Sequence, residues 1–173
     1  MDDPVWVEGA AWGDPRPGHP EGAVTHHIVE VLANIDRVAV GPRDRERLRL
    51  IALIHDVCKS QVDRNRPRTR ENHHAKIARR FAERYIDDPE VLEVIELHDE
   101  AYNAWARGER SGNWDAAEAR ARRLLDRLGD GVGFYERFYR ADNETGSKDH
   151  VPFQWFKRLA RAPSGWSASD DGS

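Results

Sequence analysis

The sequence predicts an all-α protein, a compact helical bundle of about six to seven helices. Apolar residues recur at intervals of three and four along several segments, which is the spacing of one face of an α-helix. No segment shows the strict alternation of apolar and polar residues that is typical of a half-buried strand. A chain of 173 residues, 39% hydrophobic and 34% charged, is also long enough for one domain with a real core.

The N-terminal half of the chain contains four predicted helices behind an irregular arm. We expect an irregular arm over residues 1–20, because four prolines and several glycines fall there. Pro42 and Pro89 suit the first turns of helices, where a missing N–H costs nothing. The predicted helices span about residues 22–38, 42–59, 72–86 and 89–107.

The C-terminal half adds three predicted helices, at about residues 114–128, 133–143 and 151–160. Residues 164–173 are small, polar and acidic, so we expect a disordered tail. The chain therefore divides into the arm, one helical domain over residues 21–163, and the tail. Trp155 and Phe156 pack either on this domain or on a second subunit, which leaves a homo-oligomer open.

Charge, hydropathy and cysteine content narrow the class of protein. A net charge of -4 argues against general nucleic-acid binding. No apolar run approaches the ~20 residues that cross a bilayer, so no membrane partner is expected. The acidic start MDDP lacks the features of a signal peptide, and the single Cys58 cannot form an intramolecular disulfide. We therefore expect a cytoplasmic protein.

Metal-competent side chains lie on, or at the border of, the apolar stripes of five predicted helices. His55 continues the stripe of Leu48 and Ile51, and Asp56 follows it directly. His27 lies at the border of its stripe, whereas the adjacent His26 falls on a more polar face. The five residues selected by this spacing are His27, His55, His74, His98 and Asp142.

Shared metal coordination explains these residues better than five separate structural roles. A single histidine on an apolar face is usually a core residue with a satisfied hydrogen bond, and a single aspartate at a helix end is usually a cap. Five such residues would each need a buried partner of their own, whereas one or two divalent ions satisfy them together. Mixed imidazole and carboxylate ligands accept Mn, Mg, Fe, Co, Ni or Zn, so the identity of the metal stays open.

The ordered set resembles the HD-domain superfamily of metal-dependent phosphohydrolases over about residues 21–145. The matching strings are HIVEV at 27–31, LIHDVCK at 53–59, HAKIARRF at 74–81, IELH at 95–98 and YRAD at 139–142. The resemblance implies an HD-like bundle in which His27, His55, Asp56 and Asp142 bind a first metal. It also implies that His74 and His98, with Asp56 bridging, bind a second metal, although some members hold one metal only. Asp99 falls off the stripe and is assigned to the surroundings of the site or to the surface.

The resemblance implies that metal-activated water cleaves a phosphate ester or anhydride of a nucleotide or similar small molecule. Asp56 and Lys59 are then the catalytic candidates, because Lys59 lies one turn past His55 and can approach a phosphate. Its alternative role is a solvated lysine that stabilises a helix end. The candidates for substrate binding are Arg64, Arg66, Arg68 and Arg70 in a basic loop, and Tyr102, which with Trp105 can stack on a base.

Each substrate-binding candidate has a structural alternative, and so does the activity. The arginine loop can be a solvated charge run, and the two aromatic residues can be core or rim packing. An HD-domain di-iron oxygenase would use the same six ligands, and metal identity with oxygen dependence would distinguish it. A non-catalytic nucleotide-binding module is the third possibility, against which the complete ligand set and Lys59 argue.

Overall fold

A computed structural model describes residues 2–15, 22–67 and 70–162 of the chain. Within these ranges all regular structure is helical, which confirms the predicted all-α class. The helices are α1 Pro4–Ala11, α2 Val24–Arg37, α3 Pro42–Ile54, α4 His74–Ala82, α5 Pro89–Leu97, α6 Glu100–Ser111, α7 Trp114–Leu128, α8 Val132–Asn143 and α9 Val151–Arg161. Short 3-10 turns occupy Lys59–Gln61, Arg70–Asn72 and Gly129–Gly131. Each of the seven predicted helical segments contains an observed helix.

The N-terminal arm is not irregular throughout, because α1 forms within it. The Asp3 carboxylate accepts a hydrogen bond from the Val5 N–H at 2.9 Å, and proline occupies the first position of the helix. The Trp6 indole donates to the Leu53 carbonyl at 2.7 Å. Gly9 lies so close to Val57 that an added Cβ would be 1.8 Å from its carbonyl oxygen. Helix α1 therefore packs on the segment that carries His55 and Asp56; residues 16–21 lie outside the described ranges.

The second predicted helix ends earlier than its apolar stripe suggests. Helix α3 ends at Ile54, and turns continue through Cys58 to the 3-10 turn at Lys59. In a continued α-helix the Leu53 carbonyl would accept the Val57 N–H. Here Val57 donates to Ile54 at 3.2 Å, and the Leu53 carbonyl accepts the Trp6 indole instead. The His-Asp pair consequently lies in a tight turn rather than within a helix.

The fourth predicted helix, over residues 89–107, is two helices that meet at His98 and Asp99. A continuous α-helix would pair the Ala101 N–H with the Leu97 carbonyl. The Tyr135 hydroxyl from α8 lies between these groups, donating to Leu97 at 3.0 Å and accepting from Ala101 at 3.3 Å. A side chain inserted into the hydrogen-bond ladder is a recognised cause of a helix break. His98 keeps helical backbone angles (φ -53°, ψ -34°), whereas Asp99, at φ -99° and ψ 0°, departs from them.

One buried apolar core holds the helices together. Helix α2 packs on α3 and α8, α5 packs on α3 and α4, and α6 packs on α7 and α9. The predicted stripes are buried: Val31 and Ile35 on α2 and Leu48 and Ile51 on α3 have no exposed surface. Removing this apolar surface from water is the main driving force for folding.

The C-terminal aromatic residues pack on their own domain. Phe156 is fully buried and its ring lies 5.6 Å from the ring of Tyr135 between centroids. Trp155 is also buried and lies 6.1 Å from Trp114. The alternative of packing on a second subunit is therefore not needed for these two residues. No helix within the described residues has both the length and the apolar character needed to cross a membrane.

Candidate metal centre

The six metal-ligand candidates converge where four helices and the turn after α3 meet. His27 lies in α2, His55 and Asp56 lie in the turn that follows α3, and His74 is the first residue of α4. His98 lies at the break between α5 and α6, and Asp142 is in the last turn of α8. His27 is buried whereas His26 is exposed, as the border of the apolar stripe predicts.

Four donor atoms form a first cluster. The Nε2 atom of His27 lies 2.9 Å from Asp142 Oδ1, 3.3 Å from His55 Nε2 and 3.7 Å from Asp56 Oδ2. His55 Nε2 lies 3.5 Å from Asp56 Oδ2 and 3.8 Å from Asp142 Oδ1. Ligands about 2.1 Å from one metal ion lie about 3.0 Å apart at octahedral angles and about 3.4 Å apart at tetrahedral angles. The cluster therefore has nearly the dimensions of a coordination shell.

A second cluster uses the other carboxylate oxygen of Asp56. His74 Nε2 lies 3.2 Å from His98 Nε2, and these atoms lie 3.7 Å and 3.4 Å from Asp56 Oδ1. The two oxygens of one carboxylate thus face two different groups of histidines. This arrangement is suited to a carboxylate that bridges two metal ions.

The backbone fixes the tautomers of two of these histidines. His55 Nδ1 lies 3.1 Å from the Ala52 carbonyl, and His98 Nδ1 lies 2.9 Å from the Ile95 carbonyl. A carbonyl can only accept, so in each ring Nδ1 carries the proton and donates it. In the neutral imidazole the lone pair is then on Nε2, which is the atom that faces the cluster.

These donor sets fit a divalent cation. Two imidazole nitrogens that face each other can share at most one hydrogen bond, although both have lone pairs or protons to satisfy. Asp56 Oδ1 is buried and has no hydrogen-bond partner among the described residues. Buried polar atoms are normally satisfied, and an ion coordinated by these atoms would meet that requirement for both clusters. Among the described residues, three overlapping groups of histidine and aspartate could hold a metal: His27, His55 and Asp56; Asp56, His74 and His98; and His73, His74 and Asp99.

Burial and neighbouring charges shift the pKa values of the candidate ligands, and the shifts favour the metal-binding forms of Asp56, Asp142, His55 and His74. Burial raises the pKa of Asp56, but the Lys59 ammonium and His55 outweigh it and hold that pKa well below its usual range. Burial also raises the pKa of Asp142, and Lys148 and His27 outweigh it in the same way. Burial lowers the pKa values of His55 and His74 to about 3, so both imidazoles are neutral. Burial lowers the pKa of His98, but Asp56 and Asp99 outweigh it and raise that pKa above its usual value. Ionised carboxylates and neutral imidazoles are the ligand forms.

A pocket of about 460 Å³ opens onto the clusters. Its size lies within the range of small-molecule sites. Tyr102 and Trp105 line it with their rings 6.3 Å apart, and Tyr102 is half exposed, which places it at the rim. The charged or metal-competent residues that line the pocket are Asp56, Lys59, His74, His98, Asp142 and Lys148, with Asp99 and Asp149.

Lys59 lies at the site, whereas Arg64 and Arg66, the two loop arginines whose side chains are described, do not. The Lys59 ammonium contacts Asp56 Oδ2 at 2.5 Å, so this lysine is paired rather than simply solvated. Arg64 and Arg66 are exposed, and neither lines the pocket. Arg68 and the side chain of Arg70 lie outside the described part of the chain. The substrate-binding role of these arginines stays a prediction.

Sequence reasoning did not select Lys148, and it assigned Asp99 to the surroundings of the site or to the surface; both residues line the pocket. The Lys148 ammonium contacts Asp142 Oδ1 at 3.0 Å from the loop between α8 and α9. No helical stripe reaches this loop, so periodicity could not select it. Asp99 lines the pocket, with Oδ2 3.8 Å from His74 Nε2 and 3.5 Å from His73 Nε2. In the sequence, Asp99 falls off the apolar stripe that contains His98, so its only signal was its position next to that histidine.

Comparison with known proteins identifies the family. A family model described as HD domain matches residues 24–129, which is more than half of the chain. The comparisons with curated proteins and with solved structures found no match. The chain belongs to the HD-domain family. This family is part of a superfamily of metal-dependent phosphohydrolases, which bind divalent metals. The matched range contains the histidine candidates and Asp56 but ends before Asp142, which the fold brings to the first cluster.

Proposed function

We propose that this protein is a metal-dependent phosphohydrolase that cleaves a phosphate ester or anhydride of a nucleotide or a similar small molecule with metal-activated water. The proposal depends mainly on one observation, that the two carboxylate oxygens of Asp56 face different clusters. Its Oδ2 faces His27 and His55, and its Oδ1 faces His74 and His98. This geometry favours two ions held side by side at the wall of a pocket.

A bound divalent metal supplies a Lewis acid for the phosphoryl group and lowers the pKa of water toward neutrality. His27, His55, Asp56 and Asp142 would hold the first ion, and Asp56, His74 and His98 the second. Lys59 contributes a positive charge beside Asp56, where it can bind a phosphate oxygen and stabilise the charge that develops on the leaving group.

Aromatic residues at the pocket rim favour a substrate with a flat ring. Tyr102 and Trp105 line the same pocket as the metal candidates, with an interplanar angle of 35° between their rings. Stacking on such residues is tolerant of the base, because every base has a π-face. A nucleotide would place its base at this rim and its phosphate at the clusters.

Metal analysis combined with a hydrolysis panel tests the proposal. Protein purified without chelator would be analysed for metals, examined by electron paramagnetic resonance and assayed against nucleotides and other phosphate esters. We expect one or two divalent ions per chain and phosphate release that chelation abolishes. The variant combining His55→Ala and Asp56→Ala should lose both metal and activity while retaining its helix content.

Other results would replace the proposal with one of its alternatives. Two irons per chain with a mixed-valence signal and oxygen-dependent turnover would establish an oxygenase. Nucleotide binding by metal-loaded protein without any turnover would establish a binding module. Full metal occupancy in the double variant would refute the assignment of the ligands.

A further inference from the structure

The loop between α8 and α9 is tied to the site by hydrogen bonds at several points. The Gly146 N–H donates to Glu30 Oε2 at 2.8 Å, and glycine suits its positive φ of 55°. The Thr145 hydroxyl donates to the Asp142 carbonyl at 2.7 Å, and Asn143 Nδ2 donates to the Asp149 carbonyl at 3.0 Å. These bonds hold the loop, and with it Lys148, at the pocket wall.

Lys148 and Lys59 occupy equivalent positions on the two carboxylates of the first cluster. Lys148 Nζ lies 3.0 Å from Asp142 Oδ1 and 2.9 Å from the Asp142 carbonyl, while Lys59 Nζ lies 2.5 Å from Asp56 Oδ2. Both carboxylate oxygens face His27 Nε2. Each ammonium therefore neutralises an oxygen that is also a candidate metal ligand.

A divalent ion at the first cluster would compete with the two ammonium groups for these oxygens. A lysine has three donors on a flexible stem, so it can turn to another acceptor without moving its backbone. Both lysines line the pocket, and its described lining contains no other lysine and no arginine. An anionic group in the pocket is therefore their natural second partner.

The hydroxyl of Tyr139, at the wall of the same pocket, has no hydrogen-bond partner among the described residues. Tyr139 lies one helical turn before Asp142 and lines the pocket. Only 3% of its surface is exposed. A buried hydroxyl without a partner is costly, which points to a ligand acceptor on this side of the pocket.

We propose that Lys148, together with Lys59, forms a phosphate-binding subsite. In this subsite the loop between α8 and α9, which lies beyond the HD-matched range, binds the non-bridging oxygens of the substrate phosphate. The inference rests on the proposed function and assigns one residue of that site. Lys148 acts here by direct contact with the phosphate. Removing its ammonium should weaken phosphate binding about tenfold to a hundredfold, as for other charged hydrogen bonds.

Inorganic phosphate is the probe, measured by isothermal titration calorimetry on the metal-loaded full-length protein. Lys148→Met should bind phosphate at least tenfold more weakly than the natural protein, and Lys148→Arg should recover part of the affinity. Lys157→Met removes the same charge from α9, outside the pocket, and should bind phosphate normally. Metal content should be equal in all four proteins, and in the hydrolysis assay Lys148→Met should raise KM more than it lowers kcat.

Each remaining outcome has a definite meaning. Unchanged phosphate affinity in Lys148→Met would overturn the subsite. Loss of bound metal together with phosphate binding would also overturn it, because Lys148 would then act through Asp142. No phosphate binding by the natural protein would overturn it as well. Phosphate binding that depends on Lys148, without hydrolysis of any ester, would support the subsite and refute the proposed function. Hydrolysis that is unaffected by Lys148→Met would support the proposed function and refute the subsite.

Discussion

Asp56 is the residue on which both clusters depend, since each of its carboxylate oxygens faces a different pair of histidines. His27 and His74, in contrast, each belong to only one of these two clusters. In the proposed two-ion site, loss of one of these histidines would remove one ligand from one ion, whereas loss of Asp56 would remove a ligand from both. The number of ions retained by single variants is a direct readout of this geometry.

The first prediction concerns metal stoichiometry. We expect His27→Ala and His74→Ala each to reduce the bound metal by about one ion per chain relative to the natural protein, and Asp56→Ala to reduce it to near zero. Inductively coupled plasma mass spectrometry of the purified proteins measures the ratio. His26→Ala is the matched control, because His26 is exposed and adjacent to His27. Equal metal loss in the His27, His74 and Asp56 variants would contradict the division into two clusters.

Periodicity predicts buried residues well and loop residues poorly. It selected His27 over His26 because only His27 borders the apolar stripe, and in the structure His27 is buried whereas His26 is exposed. It could not select Lys148, whose position follows from hydrogen bonds within a short loop rather than from a helical face. Contacts between residues distant in the sequence carry no local pattern.

At the scale of the elements, α1 supports the turn that carries the His-Asp pair. Its contact with Val57 leaves room only for glycine, because a Cβ at position 9 would lie 1.8 Å from a carbonyl oxygen. Backbone atoms cannot rotate away from such an overlap as a flexible side chain can. Any larger residue must therefore displace either α1 or the turn itself.

The second prediction is that Gly9→Ala destabilises the protein by about 1–3 kcal/mol and weakens metal binding. For a domain of this size each kcal/mol corresponds to about 2–4 °C in Tm. Thermal unfolding followed by circular dichroism, with and without added metal, measures both effects. Gly41→Ala is the control, because a Cβ there meets no atom within 4 Å. Similar Tm values for the two variants would show that α1 does not support the turn.

The helix boundaries that sequence reasoning misplaced share one physical cause. The ends of α3 and α5 are set by side chains from elsewhere in the chain, Trp6 and Tyr135, which bond to helix carbonyls. Both segments continue as plausible amphipathic helices in the sequence alone. Helix α1 was missed for a different reason, since its flanking prolines and glycines suggested irregular structure although Pro4 only begins the helix.

At the scale of the whole molecule, Glu96 on α5 links three helices. Its carboxylate lies 3.0 Å from Lys76 Nζ and 2.9 Å from an Arg79 guanidinium nitrogen, both on α4, and 3.2 Å from Arg127 on α7. Burial raises the pKa of Glu96, but Arg127 and Lys76 outweigh it and lower the pKa to about 2. The ionised carboxylate is therefore more favourable in the folded state than in the unfolded chain.

The third prediction follows from the sign of that shift. Because the folded pKa is depressed, the contribution of Glu96 is fully present above the ordinary pKa of 4.5 and is lost as the pH falls toward about 2. Glu96→Gln should lower the free energy of unfolding at pH 7 and show a shallower loss of stability than the natural protein between pH 4.5 and 2. Urea unfolding of chelator-treated protein at several pH values measures this. The exposed Glu109→Gln control should follow the natural protein, and parallel acid profiles for Glu96→Gln and the natural protein would rule out the role of Glu96.

The two clusters differ in how much of the chain they need. Asp56, His74 and His98 all precede α6, whereas the first cluster joins His27 near the beginning of the domain to Asp142 in α8. During synthesis on a ribosome, the second cluster is complete in sequence while α6 to α9 are still to be made. The first cluster has to wait for α8 to be translated and docked against α2. Because Tyr135 of α8 also sets the helix break beside His98, the second cluster, although complete in sequence earlier, likewise reaches its final geometry only after α8 has docked.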